Sequence, residues 1–378
     1  MTLLDALRRR PDVEAPELVA VDAADRLLLD EAAADVAAAP PGTVVTLDDA
    51  YGALTLGAVG LHGARDVRAH TDLITGERAL ALNAVEVGLE GTFRSFPALD
   101  PAVLTGARVV LLRLPRGLDA LDELAQLIAA HADPDVVVYA GGRLKHMTRA
   151  MNDVLARHLT DVHATLARGK ARVLVARGIR PEPETATTYP RSERHDDVGL
   201  TVLAHGAAFA STRVDIGTRF LLEALTRTPL PDDVVQAVDL GCGTGVLATW
   251  LARELPHARV IATDQSAAAV ASAAATAAEN GVADRVVVLR DDVGGEIPDG
   301  SVDVVLCNPP FHVGAAVHTG AASGMFAAAA RMLRPGGELW SVYNSHLRYK
   351  GELNRVVGPT QMAAQNPKFT VARSVARG

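Results

Sequence analysis

The sequence predicts an α/β protein with two tandem domains, each built on a doubly wound, mostly parallel sheet. The chain has 378 residues, which is too long for one ordinary domain and suits two. In each half, short β-branched runs alternate with Ala-rich helical runs, the pattern of strand–helix–strand units. A stretch rich in Pro, Thr and charge at residues 181–197 separates the halves and is typical of a linker. The predicted domains are therefore 1–180 and 198–378.

The second half has the clearer alternation of strands and helices. Its strands are predicted at Val234–Leu240, Arg259–Asp264, Arg285–Arg290 and Val302–Cys307, and its helices at Val246–Glu254 and Ala267–Asn280. Two late runs, Glu338–Tyr343 and Phe369–Ala376, are expected to form an antiparallel pair at one edge of the sheet.

The first half has the same rhythm and is interpreted as a degenerate copy of the second. When Asp48 is aligned with Asp239, the next strand-end aspartates, Asp72 and Asp264, follow after 24 and 25 residues. In this alignment the three glycine positions of the second half's loop hold Ala50, Gly52 and Leu54, and the place of Asn308 falls near Leu114. Chance spacing in two α/β halves is the other explanation. In either case the first half lacks a cofactor loop and is expected to be non-catalytic.

A glycine-rich loop follows the strand at 234–240. It has the pattern D-x-G-x-G-x-G, with Asp239 two residues before Gly241 and with Gly243 and Gly245 completing it. Glycines at such a turn allow the backbone to approach a ligand closely. A dinucleotide-binding loop has the pattern G-x-G-x-x-G and cradles a pyrophosphate, which would gain nothing from a carboxylate. The pattern therefore favours a ligand with a sulfonium and an amino group, and disfavours a nucleotide-dependent dehydrogenase.

Carboxylates end the next two strands. Asp264 is placed to accept hydrogen bonds from both hydroxyls of a ribose, although it also precedes a helix and would serve as an N-cap. Asp291 and Asp292 end the third strand, where a carboxylate can accept the amino group of an adenine. Asp292 is favoured for this role because it precedes an apolar residue, and the other of the pair is expected to be a turn residue.

The fourth strand runs into Asn308-Pro309-Pro310-Phe311. Two consecutive prolines fix φ and remove two N–H donors, so the turn is rigid and presents its carbonyls. The amide oxygen of Asn308 and the carbonyl of Pro309 can together accept both N–H bonds of a planar amino group and direct its lone pair at a methyl donor. Phe311 offers a face on which a base can stack. These four residues are the predicted catalytic loop for methylation of an amide or exocyclic nitrogen.

These motifs, in this order, resemble the class I methyltransferase fold, a Rossmann-like domain that binds S-adenosyl-L-methionine. The segments VDIGTRF (214–220), NPPFH (308–312) and NSHLRYKGELNRVVG (344–358) resemble the bacterial ribosomal RNA guanine-N2 methyltransferases, in which a degenerate methyltransferase-like domain precedes an active one. The phrases YGAL (51–54) and AGGRLKHM (140–147) are similar to those of the large-subunit enzymes.

The resemblance implies a set of roles for the residues of both halves. Gly241, Gly243, Asp264 and Asp292 would bind the cofactor. The loop 308–311 would hold a flipped guanine, and the region 209–220 would close over it. The first domain would recognise RNA. The implied reaction is methyl transfer to the exocyclic N2 of a guanine in ribosomal RNA, with 23S rRNA favoured over 16S.

The overall composition bears on partners and location. The net charge is -8, yet segments 142–180 and 331–378 carry nine Lys/Arg against two Asp, and eight against two Glu. Such segments can contact RNA phosphates, although most basic stretches are only solvated surface. Cys242 and Cys307 suit a reducing cytoplasm and lack the partners of a zinc site. With no long apolar run and no signal-like N-terminus, a cytoplasmic, metal-free monomer is expected.

Two alternative functions stay open at this point. The same chemistry would suit a glutamine of a protein or the N6 of adenine in nucleic acid. A protein-glutamine enzyme is expected to carry Tyr in place of Phe311 and a helical first domain. The second alternative is a non-catalytic RNA-binding or ribosome-assembly factor, for which erosion of the cofactor loop is expected.

Overall fold

The computed structural model describes residues 2–181, 187–310 and 318–378. The chain divides into two units, Met1–Tyr189 and Pro190–Gly378. Each unit is an α/β domain with its own seven-stranded sheet. The predicted fold class, two tandem doubly wound domains, is confirmed.

The first unit alternates helices and strands along the chain. Its elements are α1 (Leu3–Ala6), α2 (Ala23–Ala38), β1 (Val44–Leu47), α3 (Ala53–His62), β2 (Val67–His70), α4 (Ile74–Val87), β3 (Phe93–Phe96), α5 (Pro101–Leu104), β4 (Val109–Arg113), α6 (Leu118–His131), β5 (Val137–Arg143), α7 (Arg149–His158), β6 (His163–Ala164) and β7 (Ala171–Arg177). The strand order is β3-β2-β1-β4-β5-β7-β6, and only β7 runs antiparallel to its neighbours.

Apolar side chains cover both faces of this first sheet. Val44 packs in a cluster with Leu28 and Leu54, whereas its neighbour Val45 packs on the opposite face with Leu121. Successive side chains of a strand point to opposite faces, so a sheet covered by helices on both sides needs an almost continuous apolar run. This requirement explains why β1 and β4 lack a polar face.

The second unit repeats the alternation after a short hairpin. Its elements are β8 (Arg191–His195), β9 (Leu200–Ala204), α8 (Ile216–Arg227), β10 (Gln236–Leu240), α9 (Val246–Glu254), β11 (Arg259–Asp264), α10 (Ala267–Glu279), β12 (Val286–Arg290), β13 (Val302–Cys307), α11 (His318–Met332), β14 (Leu333–Asn344), α12 (Lys350–Val356), β15 (Thr360–Gln365) and β16 (Phe369–Val375). The strand order β12-β11-β10-β13-β14-β16-β15 is that of the first unit, and β16 is again antiparallel to both neighbours. This shared topology, including the antiparallel sixth position, supports the duplication.

The structure corrects the alignment of the two copies by two residues. Helices α3 and α9 each follow a glycine with positive φ, Gly52 at 90° and Gly245 at 76°. Counted back from these glycines, Asp48 matches Gly241, and both have positive φ, 56° and 78°. Their N–H groups also donate to equivalent carbonyls at the end of the next strand. The match of Asp48 to Asp239 rests on residue identity, and the backbone conformation does not support it.

The corrected alignment changes which residues of the first unit stand at the cofactor positions. Thr46 takes the place of Asp239, and the strand register puts Thr71, not Asp72, in the place of Asp264. The three glycine positions hold Asp48, Ala50 and Gly52. The first unit thus lacks the strand-end carboxylate as well as two of the glycines.

The predicted antiparallel pair forms between β14 and β16, but it does not lie at the sheet edge. The outermost strand is β15, whose segment TQMAAQ is mostly exposed. An edge strand with little buried surface carries no apolar alternation, which is why its sequence does not predict a strand.

Part of the predicted linker is folded. Residues 191–195 form β8, which pairs with β9 in a hairpin of the second unit, and Thr188 bonds to Gln126 of the first. One face of α10, together with the residue that follows it, covers the free edge of β9. There the N–H groups of Thr201, Leu203 and His205 donate to the side chains of Asn280, Thr276 and Ser272, respectively. Backbone pairing of this kind accepts charged side chains, so composition alone suggested a linker.

Among the described residues, no helix is long and apolar enough to cross a membrane. Within the same residues, no group of three or more His, Cys, Asp or Glu side chains is arranged to hold a metal ion.

Candidate functional site

The carboxyl ends of four adjacent strands meet at one edge of the second sheet. Leu240 lies beside Thr263 and Cys307, and Asp264 lies beside Arg290. The chain leaves β10 with β11 on one side and β13 on the other, so the strand order reverses here. Such a switch point is where doubly wound sheets bind ligands. The predicted site residues all follow or end these four strands.

Asp239, in β10, is buried and only half satisfied. Its Oδ2 accepts the N–H of Ala248 at 2.9 Å, whereas its Oδ1 is buried without a hydrogen-bond partner among the described residues. Burial raises the pKa of this carboxyl to about 7; the Ala248 N–H lowers it and the nearby charge of Asp264 raises it further. A buried acceptor without a donor is costly, so this oxygen suits a ligand that brings an N–H group.

The three glycines of the loop differ in what surrounds them. All have positive φ, which favours glycine. A Cβ on Gly241 would lie 2.8 Å from the Met325 methyl, and one on Gly245 would lie 2.8 Å from Ala273. A Cβ on Gly243 would meet nothing within 4 Å. Gly245 is therefore a packing position, Gly241 contacts only the flexible end of Met325, and Gly243 borders space that no described residue fills and that a cofactor can occupy.

Asp264 ties the glycine loop to the start of α10. Its Oδ2 accepts the N–H of Gly243 and its Oδ1 accepts the N–H of Ser266, both at 3.0 Å. The N-cap of α10 is Ser266, whose Oγ accepts the N–H of Ala269. The capping role considered for Asp264 thus belongs mainly to Ser266. Each carboxylate oxygen accepts more than one hydrogen bond, so ribose hydroxyls can share Asp264 with these backbone donors.

Asp291 and Asp292 have different surroundings. Asp291 is buried, and its two oxygens accept the N–H groups of Asp292 at 2.7 Å and Glu296 at 2.8 Å. These bonds organise the loop after β12. Asp292 is partly exposed at the edge of the sheet. Asp291 thus has the hydrogen bonds of a turn residue, and the preference for Asp292 as the ligand-facing residue stays a prediction.

The Asn308 amide group is held through its NH₂, and its oxygen accepts no hydrogen bond from the described residues. Its Nδ2 donates to Oδ2 of Asp215 and to Oγ1 of Thr218, both at 3.0 Å. Its Oδ1 is buried and has no partner among the described residues. Both amide hydrogens are therefore used to orient the side chain, and the oxygen is left as an acceptor for a donor from outside the chain.

The N-terminus of α8 supplies this support. Asp215 is the N-cap and also accepts the N–H groups of Gly217 at 2.8 Å and Thr218 at 3.2 Å. A Cβ on Gly217 would lie 2.9 Å from the Asp215 carboxylate and 3.5 Å from both Asn308 Oδ1 and the ring of Phe369. A side chain at residue 217 would thus crowd the Asp215 carboxylate, whereas its distances to the amide and to the Phe369 ring are those of ordinary van der Waals contact.

The rest of the predicted loop is only partly described. Pro309 is buried and Pro310 is exposed. Phe311 lies outside the described residues, so its predicted stacking role stays a prediction.

The supporting residues Asp215 and Thr218 were not identified individually from the sequence. The pattern D-I-G-T before an amphipathic run predicts a capped helix, which is a sufficient local explanation for both residues. Only the folded chain shows that the cap also faces a loop 90 residues later.

In the first unit, the loop at the corresponding place satisfies itself. Thr46 and Thr55 share a hydrogen bond of 2.7 Å between their hydroxyls. The Asp49 carboxylate accepts the N–H groups of Gly52 at 3.1 Å and Thr55 at 2.8 Å. The crevice between Asp49 and Phe96 is too narrow to hold a water molecule. This arrangement agrees with a first unit that holds no cofactor.

Comparisons with known proteins give matches over both units. A family model described as the methyltransferase small domain matches residues 199–373, and one described as the RLMG N-terminal domain matches residues 3–180. Ribosomal RNA large subunit methyltransferase G of Pseudomonas aeruginosa (strain UCBPP-PA14) is 38% identical, covering 97% of this chain and 96% of its own length. The protein of the same name from Streptomyces coelicolor is 37% identical, covering 98% and 97%.

A solved structure shares the fold over nearly the whole chain. The T. thermophilus 16S rRNA N2 G1207 methyltransferase, in complex with AdoMet and guanosine, matches with a TM-score of 0.75 and 23% identity. The match covers 94% of this chain and 92% of that one.

The repeated strand order and the glycine loop at the second switch point define a class I methyltransferase with tandem domains. With relatives more than 30% identical along almost its full length, the chain belongs to the ribosomal RNA large subunit methyltransferase G family.

Proposed function

We propose that this chain transfers a methyl group from S-adenosyl-L-methionine to the exocyclic N2 of a guanine in large-subunit ribosomal RNA. The observation that carries the proposal is the buried Oδ1 of Asn308, which has no partner among the described residues while both amide hydrogens are held. The large subunit is favoured because the relatives that carry its name are 34–38% identical, against 23% for the small-subunit enzyme.

The residues at the switch point fit S-adenosyl-L-methionine. Asp239 Oδ1 suits the cofactor's amino group, Asp264 its ribose and Asp292 its adenine, while Gly243 leaves the space that the cofactor fills. When bound, the cofactor supplies a methyl group on a positively charged sulfur, which an amino nitrogen can attack.

The chain's own contribution is to hold the acceptor nitrogen. Asn308 Oδ1 and the Pro309 carbonyl accept the two N–H bonds of the guanine N2 group, which withdraws its lone pair from the ring and directs it toward the methyl group. Asp215 and Thr218 keep the amide in this orientation. No general base is required, because N2 becomes acidic once it carries the methyl group and can release its proton to water.

The two alternative functions are less well supported. The α/β first unit disfavours a protein-glutamine enzyme, for which a helical first domain was expected. The intact glycine loop and the Asp239 Oδ1, which has no partner among the described residues, disfavour a factor that has lost cofactor binding. We further propose that the first unit recognises the RNA, and that the protein acts as a monomer in the cytoplasm, where its two buried free thiols are stable.

Methyl transfer to isolated large-subunit RNA tests the proposal. With radiolabelled cofactor, the wild-type protein is expected to label the RNA, and mass spectrometry of the digest is expected to show N2-methylguanosine. Asn308→Ala is expected to lower kcat on the order of 100-fold or more, as for loss of one preorganised transition-state contact. It should leave cofactor binding nearly unchanged in calorimetry.

The exposed Asn354, on α12 of the same unit, offers a matched control. Asn354→Ala is expected to retain wild-type turnover. Label found in adenine or in a protein substrate, and not in guanine, would contradict the proposed acceptor. Equal loss of turnover and of cofactor binding in Asn308→Ala would mean that the residue is structural.

A further inference from the structure

The first unit keeps the framework of the Asn308 site but places an arginine in it. Strands β4 and β13 have the same position in the two sheets, and their registers with β1 and β10 put Arg113 in the place of Asn308. The Arg113 guanidinium binds Asp22 at 2.8 Å and also binds Asp25. These carboxylates are the N-cap and third residue of α2, the same helix positions that hold Asn308 in the second unit.

A cavity of about 310 Å³ opens beside this arginine. Its size lies at the lower end of the range of about 300–1,000 Å³ for ligand sites. Four permanent cations line it, Arg113, Arg116, Arg143 and Lys145, against the single carboxylate of Asp22. They come from the end of β4, the loop after it, the end of β5 and the turn that follows. The concentration of charge thus arises from the fold, because these segments are far apart in the sequence.

Two of the four cations have no carboxylate partner within the described part of the chain. Arg113 is paired with Asp22 and Asp25, but within the described part of the chain Arg116 and Lys145, both exposed, take part in no ion pair. Arg143 lies 3.9 Å from Asp22, and its buried Nε has no hydrogen-bond partner among the described residues. The cavity therefore offers guanidinium and ammonium donors that lack an acceptor.

The positive charges of the cavity also affect the ring of His146, which lines it. Partial loss of hydration lowers the pKa of its ring, and the nearby charges of Arg116, Lys145, Arg143 and Arg113 lower it further. The lowered pKa favours the neutral ring, which can donate or accept a hydrogen bond without adding charge.

We propose that this cavity is an anchoring site for a backbone phosphate of the RNA substrate, built where the degenerate unit has lost its amino-group site. The inference rests on the proposed function, since it concerns the same RNA. Arginine forks match the geometry of phosphate oxygens and give charge-assisted hydrogen bonds. A phosphate contact of this kind positions the RNA without reading its sequence.

The lining favours a phosphate over a base or a cofactor. No Phe, Tyr or Trp stands among the described residues that line the cavity, so a base would find no such ring to stack on. The crevice that corresponds to the cofactor site is closed in this unit. An acidic protein is the other polyanion that such charges attract, and the experiment below separates it from RNA.

RNA binding by the full-length protein tests the proposal. The probe is an in vitro transcript of large-subunit ribosomal RNA, and the dissociation constant is measured over a range of salt concentrations. The double variant Arg116→Ala/Lys145→Ala removes two exposed side chains and should fold normally. It is expected to bind about tenfold or more weakly at 0.1 M salt, and the slope of log K against log salt should become shallower by about 1 per cation removed. Arg143→Ala should add to both effects.

The matched control is Arg65→Ala/Arg94→Ala, which removes two exposed arginines of the same unit. These arginines lie near β2 and β3, which are separated from β5 in the sheet by β1 and β4. It is expected to bind like the wild type. Equal affinity and salt slope for the cavity and control variants would overturn the proposal. So would displacement of the RNA by polyglutamate as readily as by an RNA of the same charge.

Methylation measured in parallel separates this inference from the proposed function. If the wild-type protein methylates the RNA and the cavity variants bind it normally, only the proposed phosphate site is contradicted. If the wild-type protein binds the RNA through the cavity but methylates no guanine, the proposed reaction is contradicted and the proposed phosphate site is not.

Discussion

At the scale of single residues, the orientation of the Asn308 amide follows from its partners. A carboxylate can only accept hydrogen bonds, so the group facing Asp215 must be the NH₂ and not the oxygen. The second acceptor, Thr218 Oγ1, occupies the other amide hydrogen. In the proposed reaction the oxygen is thereby oriented toward an incoming amino group before the substrate arrives, which lowers the reorganisation needed during reaction.

Thr218 is expected to act as a positioning residue. Thr218→Val keeps the shape of this buried side chain but removes the acceptor for Asn308, so kcat should fall by about 2-fold to 10-fold, the value of one hydrogen bond. The KM for the cofactor and the unfolding midpoint should change little. Steady-state kinetics measure this, and Thr218→Ser should restore most of the activity. A loss of stability that parallels the loss of activity would contradict the positioning role.

Cofactor affinity is expected to depend on pH through Asp239. Because burial raises the pKa of Asp239 to about 7, the cofactor-free folded state holds this proton more tightly than the unfolded chain. This carboxyl therefore makes the free protein less stable as pH rises from about 4 to about 7. The cofactor's amino group requires the ionised form, so affinity should rise by up to about tenfold per pH unit between pH 5 and 7 and then level off.

Calorimetry in buffers of different ionisation enthalpy measures the proton that Asp239 releases on binding. Asp239→Asn should bind the cofactor more weakly and without this pH dependence. If the variant retains the wild-type pH profile, another group is responsible for it.

At the scale of elements, the turn from β10 to α9 separates packing from binding. Gly245 approaches α10, where Ala273 leaves no room for a Cβ, whereas Gly243 faces open space and links to β11 through Asp264. The hairpin β8–β9 shows a similar division of roles, because α10 covers its free edge with side-chain acceptors spaced by four residues. One helix thus supports both the cofactor loop and the hairpin.

Alanine substitutions at Gly245 and Gly243 are expected to have different effects, the first mainly on the stability of the fold and the second mainly on cofactor binding. Gly245→Ala combines positive φ with a contact of 2.8 Å to Ala273, so it should destabilise the fold by about 2–4 kcal/mol. Gly243→Ala has only the backbone strain, about 1 kcal/mol, but it fills cofactor space and should weaken cofactor binding strongly. Denaturant unfolding and calorimetry measure the two effects. The reverse ranking, with Gly243→Ala the less stable variant, would contradict the assignment.

At the scale of the whole molecule, two units share one topology, but the D-x-G-x-G-x-G loop is found in the second unit and not at the corresponding place in the first. The loop of the first unit is satisfied by its own side chains, with Thr46 and Asp49 bonded to Thr55. The full-length protein is therefore expected to bind one S-adenosyl-L-methionine per chain, as calorimetric titration would show. A stoichiometry of two would mean that the first unit opens a site that is closed in this structure.

Much of this architecture was predictable because the evidence is local. Val246–Glu254, Arg259–Asp264 and Val302–Cys307 were predicted with the bounds that the structure has, since their apolar runs and periods are strong local signals. The edge strand at 360–365 and the hairpin strand at 191–195 were missed, because each is defined by backbone pairing with a partner elsewhere in the chain.

The sequence by itself determined the fold class, the second unit as the one with the cofactor loop, and the Asn-Pro-Pro turn, because glycine, proline and strand-end acids each impose a local geometry. The tertiary structure alone decided what those residues face. It left Oδ1 of Asp239 and Oδ1 of Asn308 without a hydrogen-bond partner among the described residues, and it matched Asp48 to Gly241 by conformation. It also put Arg113 where the second unit has Asn308. Contacts between distant segments depend on strand register and helix placement, which no local pattern encodes.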